Sequence, residues 1–209
     1  MLRVGVTGGM ACGKSVVGEM LKQRGAHFIQ ADHIAHQLMA PGQPAYEEIV
    51  RRFRRDILKQ DKTIDRAKLA QAAFGAPGGS RIHELNEIIH PAVLEYQKRW
   101  MEEVSRRDPN AIAVVEAALI LEAGAREDFQ TIIVVTCKPE QKISRLAQRL
   151  GLSNEAARAE LDRRTAAQLS DEEKLRSADY VIDNSGTLPE NEAQVATLWP
   201  KLKELAAQA

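Results

Sequence analysis

The stretch Gly8-Gly9-Met10-Ala11-Cys12-Gly13-Lys14-Ser15 constrains this chain more than any other. It fits G-x-x-x-x-G-K-[ST], a loop that holds phosphate through its own backbone. Leu2-Arg3-Val4-Gly5-Val6-Thr7 precedes it and reads as a short buried strand. Val16, Val17, Met20 and Leu21 follow at helical spacing, so a helix starts near Gly13 or Lys14. Strand, glycine loop and helix is the order this chemistry requires. Small residues let successive N–H groups curl around phosphate oxygens. The helix N-terminus adds unpaired donors and partial positive charge. Gly8, Gly9, Ala11, Cys12, Gly13, Lys14, Ser15 and Val16 are the candidate phosphate contacts. Lys14 has the reach for the β and γ phosphates, and the Ser15 hydroxyl is placed for Mg²⁺. The competing reading, a glycine-rich turn with a chance lysine, does not account for the flanking strand and helix.

The 209 residues suffice for one sizeable core with an appended subdomain. Lys+Arg and Asp+Glu both number 29, so no basic excess points to nucleic acid. No apolar run approaches the roughly 18 residues of a membrane span, and the first residues lack signal-peptide organisation. Cys12 and Cys137 make no disulfide or metal-ligand pattern, and a reducing cytoplasm fits them. Cys12 lies beside a helix N-terminus, which lowers the pKa of a thiol. The simpler reading is a small filler residue.

Ala26–Ala31 is a second strand candidate with Asp32 at its C-terminal end; Ile34, Ala35, Leu38 and Met39 continue at helical spacing, so a helix N-cap is the competing structural reading of Asp32. Pro41-Gly42-Gln43-Pro44 ends that helix. Residues 45–107 show no convincing strand. They carry helical stripes at Ile49, Val50 and Phe53, and at Leu69, Ala72, Ala73 and Phe74. Ala76-Pro77-Gly78-Gly79-Ser80 is a break, and His90-Pro91 reads as the start of a long helix to about Arg106. That much helix exceeds a simple crossover and implies an inserted helical subdomain. Ala111–Glu116, Gln130–Thr136 and Tyr180–Asp183 are three further strands. A helix starts at Lys138-Pro139, the segment 151–177 is charged and helical, and an amphipathic helix closes the chain from about Pro189.

Strands alternating with helices predict an α/β fold, a five-stranded parallel sheet with helices on both faces. Ligands bind beyond the carboxyl ends of such strands. The glycine loop, Asp32, Glu116, Cys137 and Asn184 all follow strand ends and are expected on one rim. Among proteins with this loop, a GTPase switch needs N-K-x-D after a late strand, and Thr136-Cys137-Lys138-Pro139 does not supply it. Asp183-Asn184-Ser185-Gly186 spells D-x-x-G, but too near the C-terminus for a switch. A small-molecule kinase needs an acceptor pocket and an arginine-rich lid that excludes water. The inserted helices and the charged 140–177 segment offer both.

Along nearly its whole length the chain resembles the dephospho-CoA kinase family. The resemblance rests on Val6-Thr7-Gly8-Gly9…Gly13-Lys14-Ser15, on Gln30-Ala31-Asp32-His33-Ile34-Ala35, and on Pro41-Gly42 with Ala45. It continues through Ile57-Leu58, Asp65-Arg66 with Leu69, and His90-Pro91. It ends on Gln141…Arg145-Leu146…Arg149, Arg164…Gln168, and Lys174…Ala178–Asn184 with Gly186. The chain departs from the pattern where Gln30 replaces an aspartate, and where Ala117–Leu121 replaces P-L-L-F before Glu122.

The resemblance implies a P-loop kinase fold with a core of residues 1–40, 108–140 and 178–209. It implies a helical acceptor subdomain at about 41–107 and a lid at about 141–177. It implies ATP as donor, Mg²⁺, and the ribose 3′-hydroxyl of dephospho-CoA as acceptor. Separately, charge, hydropathy and cysteine usage lead us to expect a cytoplasmic protein with no nucleic-acid or membrane partner, and a monomer is expected. Lys14 and Asp32 would be catalytic, Asp32 orienting the hydroxyl and taking its proton. Arg145 would stack on adenine. Arg149 and Arg164 would meet phosphate oxygens, and Asn184 and Gly186 would line the adenine site. The competing reading for the lid arginines is a solvated helix face, above all for Arg158 and Arg163. His90 is either an acceptor contact or a helix-start device. Glu116 is either a metal partner or structural. A kinase of another acceptor, such as a nucleoside monophosphate, and a non-catalytic nucleotide-binding regulator are the alternative functions.

Overall fold

The computed structural model describes residues 1–74, 80–166 and 168–209. The break expected at 76–79 lies outside them. In chain order the elements are β1 (Leu2–Gly8), α1 (Lys14–Gln23), β2 (His27–Gln30), α2 (Ala31–Leu38), α3 (Pro44–Phe53), α4 (Arg66–Phe74) and α5 (Ile82–Arg107). There follow β3 (Ile112–Glu116), β4 (Thr131–Thr136), α6 (Pro139–Leu150), α7 (Asn154–Thr165), α8 (Asp171–Arg176), β5 (Tyr180–Asp183) and α9 (Leu188–Gln208). They form two compact units, residues 1–30 with 101–209, and residues 31–100.

The first unit is built on a five-stranded sheet in the order β2-β3-β1-β4-β5. Every neighbouring pair is parallel. The apolar, β-branched runs follow from that burial: all of β3 and nearly all of β1 and β4 are buried. Alternate residues Leu2, Val4 and Val6 of β1 meet Val17, Met20 and Leu21 of α1 and Val195, Leu198 and Leu202 of α9 in one core cluster. Each such side chain is worth about 1.5–3 kcal/mol when fully buried. Gly18 of α1 lies so close to the Phe28 ring that a Cβ there would collide with it, which sets how near the helix approaches the sheet. Towards the other face, a Cβ on Gly5 would meet Ile132 at 2.7 Å, then Ile120 and Phe129.

The strand order makes a switch point beside β1. From β1 the chain passes to β2 on one side of it, and from β4 it passes to β5 on the other. In open α/β sheets the ligand crevice lies at such a point, past the strand ends. The loops that leave β1, β4 and β5 meet there. The α/β class, the five parallel strands and the helix starting at Lys14 agree with the sequence reading.

The second unit holds α2, α3, α4, the first turns of α5 and a single 3₁₀ turn, Arg55–Ile57. Leu58 and Ile64 make an isolated antiparallel bridge. Phe53 is buried, and the Arg81 guanidinium sits over its ring at 4.5 Å.

Two expectations are corrected here. Asp32 is not an N-cap: α2 already starts at Ala31, so Asp32 lies inside its first turn. An acid there is favoured by the helix dipole rather than by a cap hydrogen bond. His90-Pro91 does not start a helix either; Pro91 is internal to the 26-residue α5. An internal proline costs about 3 kcal/mol. Ile88, Ile89 and Val93 around it are all buried, and three such side chains outweigh that cost.

Candidate active site

The glycine loop has the backbone its sequence requires. Gly8, Ala11 and Gly13 adopt positive φ angles of 145°, 58° and 94°. A Cβ on Gly8 would strike the Val135 carbonyl of β4, and one on Gly13 would strike the Asn184 amide. Gly13 precedes α1 without any side-chain cap, which leaves the first N–H groups of that helix for a ligand. Lys14 folds over its own loop and donates to the carbonyls of Gly8 at 3.2 Å and Gly9 at 3.1 Å. Val16 stays on the exposed side of α1, while Val17 faces the core.

The outer side of the loop is clamped by residues that arrive from far along the chain. Asn184, at the end of β5, donates through Nδ2 to the Cys12 carbonyl at 2.7 Å. Arg145, on α6, donates through Nη1 to the carbonyls of Ala11 and Cys12 at 3.4 Å, and through Nη2 to the Asn184 carbonyl at 2.9 Å. The Ala11 and Cys12 carbonyls are thereby engaged by side-chain donors. Cys12 itself is fully buried. Burial pushes its thiol pKa up, with Lys14 only partly opposing. The lowered pKa considered from sequence is therefore not what the loop produces. Cys137 is likewise raised by burial.

Ser15 and Glu116 form the opposite wall. The Ser15 hydroxyl donates to Glu116 Oε1 at 2.9 Å, and Gln30 Nε2 donates to Glu116 Oε2 at 2.7 Å. The register explains this, since Glu116 pairs with Val6 of β1 on one side and with Gln30 of β2 on the other. Gln30 thus supplies a donor where an aspartate would place a second negative charge. A hydroxyl beside a carboxylate is the hard oxygen set that Mg²⁺ accepts, completed by phosphate oxygens and water. Among the described residues no three His, Cys, Asp or Glu side chains gather into a metal site.

Two buried lysines lie near the loop: Lys142, which the sequence reading misses, and Lys174, which it includes in the C-terminal signature without a role. Lys142 of α6 forms an ion pair with Asp171 of α8. A Cβ on Gly9 would lie 2.8 Å from both Lys142 Nζ and Asp171 Oδ1, so the pair sits directly against the glycine loop. Lys174, 1% exposed, pairs with Glu122 at 2.9 Å and donates to the Ala118 carbonyl at 3.4 Å. Thr7 of β1 donates to the same carbonyl at 3.3 Å. No local pattern announces either pair; their members lie 29 and 52 positions apart.

The remaining candidates are placed elsewhere. Arg149 is exposed on α6. Arg164 and Arg163 both pair with Glu160 within α7, at 2.5 and 2.8 Å. They draw the Glu160 carboxyl down to about 2. Arg158 lines an open groove between α6 and α7 with Glu140, Glu155 and Asp162. Gly186 abuts the Glu190 carboxylate, which closes the capping box of α9 onto Thr187. Asp32 and His90 belong to the 31–100 unit, and both are exposed. In that unit His36 has a lowered pKa, from burial first and then from Arg66.

The family described as Dephospho-CoA kinase matches residues 2–190 of this chain. A dephospho-CoA kinase of Syntrophus aciditrophicus is 39% identical over 202 residues, covering 97% of this chain and 83% of that protein. The crystal structure of a Thermus thermophilus protein superposes with a TM-score of 0.74 at 29% identity, covering 98% of this chain and 97% of that one. Dephospho-CoA kinase from Campylobacter jejuni gives 0.64 at 28% identity, with 97% of both chains covered. A phosphate loop clamped by Arg145 and Asn184, on a sheet shared with these proteins, agrees with the family match, and the chain belongs to the dephospho-CoA kinase family.

Proposed function

We propose that this protein transfers the γ-phosphoryl group of ATP to the ribose 3′-hydroxyl of dephospho-CoA, giving coenzyme A. The observation that carries this is the glycine loop: its outer carbonyls are held by Arg145 and Asn184, and Lys14 lies across it. Phosphoryl transfer asks a protein for positioning and charge stabilisation rather than covalent chemistry. The loop N–H groups and Lys14 hold the β and γ phosphates. Gly8, Gly9, Ala11, Cys12, Gly13 and Val16 contribute backbone to that cradle. Ser15 and Glu116 are the residues that would hold Mg²⁺, which neutralises phosphate charge when bound. Arg145, Asn184 and Gly186 form the adenine side, the guanidinium plane of Arg145 offering a stacking surface.

Asp32 orients the acceptor hydroxyl and takes its proton, and His90 contacts the acceptor. Residues 41–107 form the acceptor subdomain, for which the compact 31–100 unit is support. Residues 141–177 form a lid that brings Arg149 and Arg164 to phosphate oxygens. Glu160, now paired with Arg164, must release it for that contact. The enzyme works as a cytoplasmic monomer without a nucleic-acid or membrane partner; no helix among the described residues is long and apolar enough to cross a membrane. The test is ATP turnover with dephospho-CoA beside a panel of nucleoside monophosphates, with products identified by mass. Coenzyme A formed from dephospho-CoA alone supports the reading, and preference for another acceptor overturns it.

A further inference from the structure

A relay of side-chain amides runs from β5 through α9 to the phosphate loop. It begins where the backbone leaves no choice of orientation. The Asp183 N–H donates to Gln194 Oε1 at 2.9 Å, and Gln194 Nε2 donates to the Asp183 carbonyl at 2.9 Å. A backbone N–H can only donate and a carbonyl can only accept, so the Gln194 amide has one polarity. The same Nε2 faces Asn191 Oδ1 at 3.5 Å. Asn191 therefore turns its Nδ2 the other way and donates to Asn184 Oδ1. Asn184 must in turn aim its own Nδ2 at the Cys12 carbonyl, which it does at 2.7 Å. Both ends of the relay are backbone groups, and both agree with the polarity carried between them. Asn191 and Asn184 are 2% and 5% exposed, so water offers neither a substitute partner.

The last link reaches the chemistry. A trans peptide is planar, so the Cys12 carbonyl and the Gly13 N–H point in opposite directions. A donor that holds the carbonyl on the outside of the loop turns that N–H to the inside. Among the described residues the Asn184 amide is held at both ends, Oδ1 by Asn191 and Nδ2 by the Cys12 carbonyl, while its backbone N–H bonds to the Thr136 carbonyl and its backbone carbonyl accepts from Arg145. Arg145 supports the Cys12 carbonyl at a longer 3.4 Å and cannot orient the Asn184 amide. We infer that Asn191 is a positioning residue for phosphate binding, acting through Asn184 to aim the Gly13 N–H at the nucleotide phosphates. The inference rests on the kinase reading above. Asn191 lies outside the glycine motif and outside Asp183-Asn184-Ser185-Gly186.

The test measures ADP and AMP binding by calorimetry on the full chain carrying Asn191→Asp or Asn191→Leu. The aspartate sets an acceptor against Asn184 Oδ1, and the leucine removes the donor at similar volume. Loss of one well-placed hydrogen bond to a charged group corresponds to about a tenfold loss of affinity or more. We expect ADP to weaken about tenfold and AMP, which lacks the β-phosphate, by much less. In an Asn184→Ala background, Asn191→Leu should cause no further loss. Unchanged ADP binding, equal losses for ADP and AMP, or losses that add in the Asn184→Ala background would each overturn the inference. Should the variants not fold, the wild-type Gly13 amide resonance decides. It must shift on addition of ADP, and a stationary resonance overturns the inference. Wild-type protein that binds no nucleotide sinks the kinase reading and this inference together, whereas wild-type binding with unaffected variants sinks this inference alone.

Discussion

The Ser15 hydroxyl donates to the Glu116 carboxylate at 2.9 Å, joining the first turn of α1 to the end of β3. The phosphate-loop serine is thus already set against a negative charge. Glu116→Gln keeps the shape and removes that charge. Substituting partners that orient metal ligands typically costs about 10–100-fold in metal affinity. The expected outcome is a rise of that order in the Mg²⁺ concentration for half-maximal activity, with ADP binding in the absence of metal little changed. A magnesium titration that superposes on wild type would leave Glu116 a structural residue.

Lys14→Ala should remove phosphoryl transfer while leaving the fold intact. Among the described residues the Lys14 ammonium donates to carbonyls of its own loop, Gly8 and Gly9. Removing one preorganised donor at developing charge costs on the order of 10²–10³ in kcat, and Lys14 carries a full charge besides. A melt near wild type beside near-wild-type turnover would refute the loop's assigned role.

Asp32→Asn separates chemistry from folding. Asp32 lies within the first turn of α2, so the amide forfeits only a dipole interaction of about 0.3–1 kcal/mol. Loss of a general base costs about 10²–10⁴ in rate. A large fall in kcat is expected, with modest changes in the dissociation constants of ATP and dephospho-CoA. Steady-state kinetics on a preparation whose melt is also recorded decides, and an unimpaired kcat rules the base out.

Glu160 ties Arg163 and Arg164 together on α7. Hydrogen bonds from Arg163 and then Arg164 depress its carboxyl from 4.5 to about 2. A depressed carboxyl stabilises the folded state above its unfolded pKa and loses that contribution as pH falls through the folded one. The Tm difference between wild type and Glu160→Gln should therefore be constant above pH 4.5 and close as pH approaches 2. The difference is small, because both partners face solvent. Melting curves across that range test the sign; a gap that widens in acid contradicts it.

Lys174→Met leaves the Glu122 carboxylate without its buried partner. Breaking such a pair from one side costs about 3–5 kcal/mol. The double variant Lys174→Met with Glu122→Leu should recover much of that loss, since apolar replacement of a whole buried pair is often neutral. Denaturant midpoints of the two variants and wild type make the comparison.

The sequence made the sheet and the loop legible because both are local. Apolar, β-branched runs mark β1, β3 and β4 within five to seven residues each. The glycine motif also carries its own geometry, with positive φ at Gly8 and Gly13. What stayed hidden depends on partners distant in the chain. Lys142 and Asp171 meet over Gly9, and nothing in the charged segment around either distinguishes them from a solvated helix face. Pro91 misled because a proline signals a helix boundary, while buried side chains on either side of it carry α5 through. The N-cap reading of Asp32 failed because α2 starts two residues earlier than it requires, a boundary shift that no propensity resolves.

Cys12 and the side chain that pins its carbonyl are 172 positions apart. Translation runs from the N-terminus, so the ribosome makes the phosphate loop well before the side chain that clamps it. A nascent or prematurely released chain that stops before Asn184 carries the whole motif without the side chain that shapes it. Such a fragment should retain little nucleotide, which binding by chains ended before and after residue 191 would reveal. The glycine motif thus gains its clamp only after Asn184 has been added and folded back onto it.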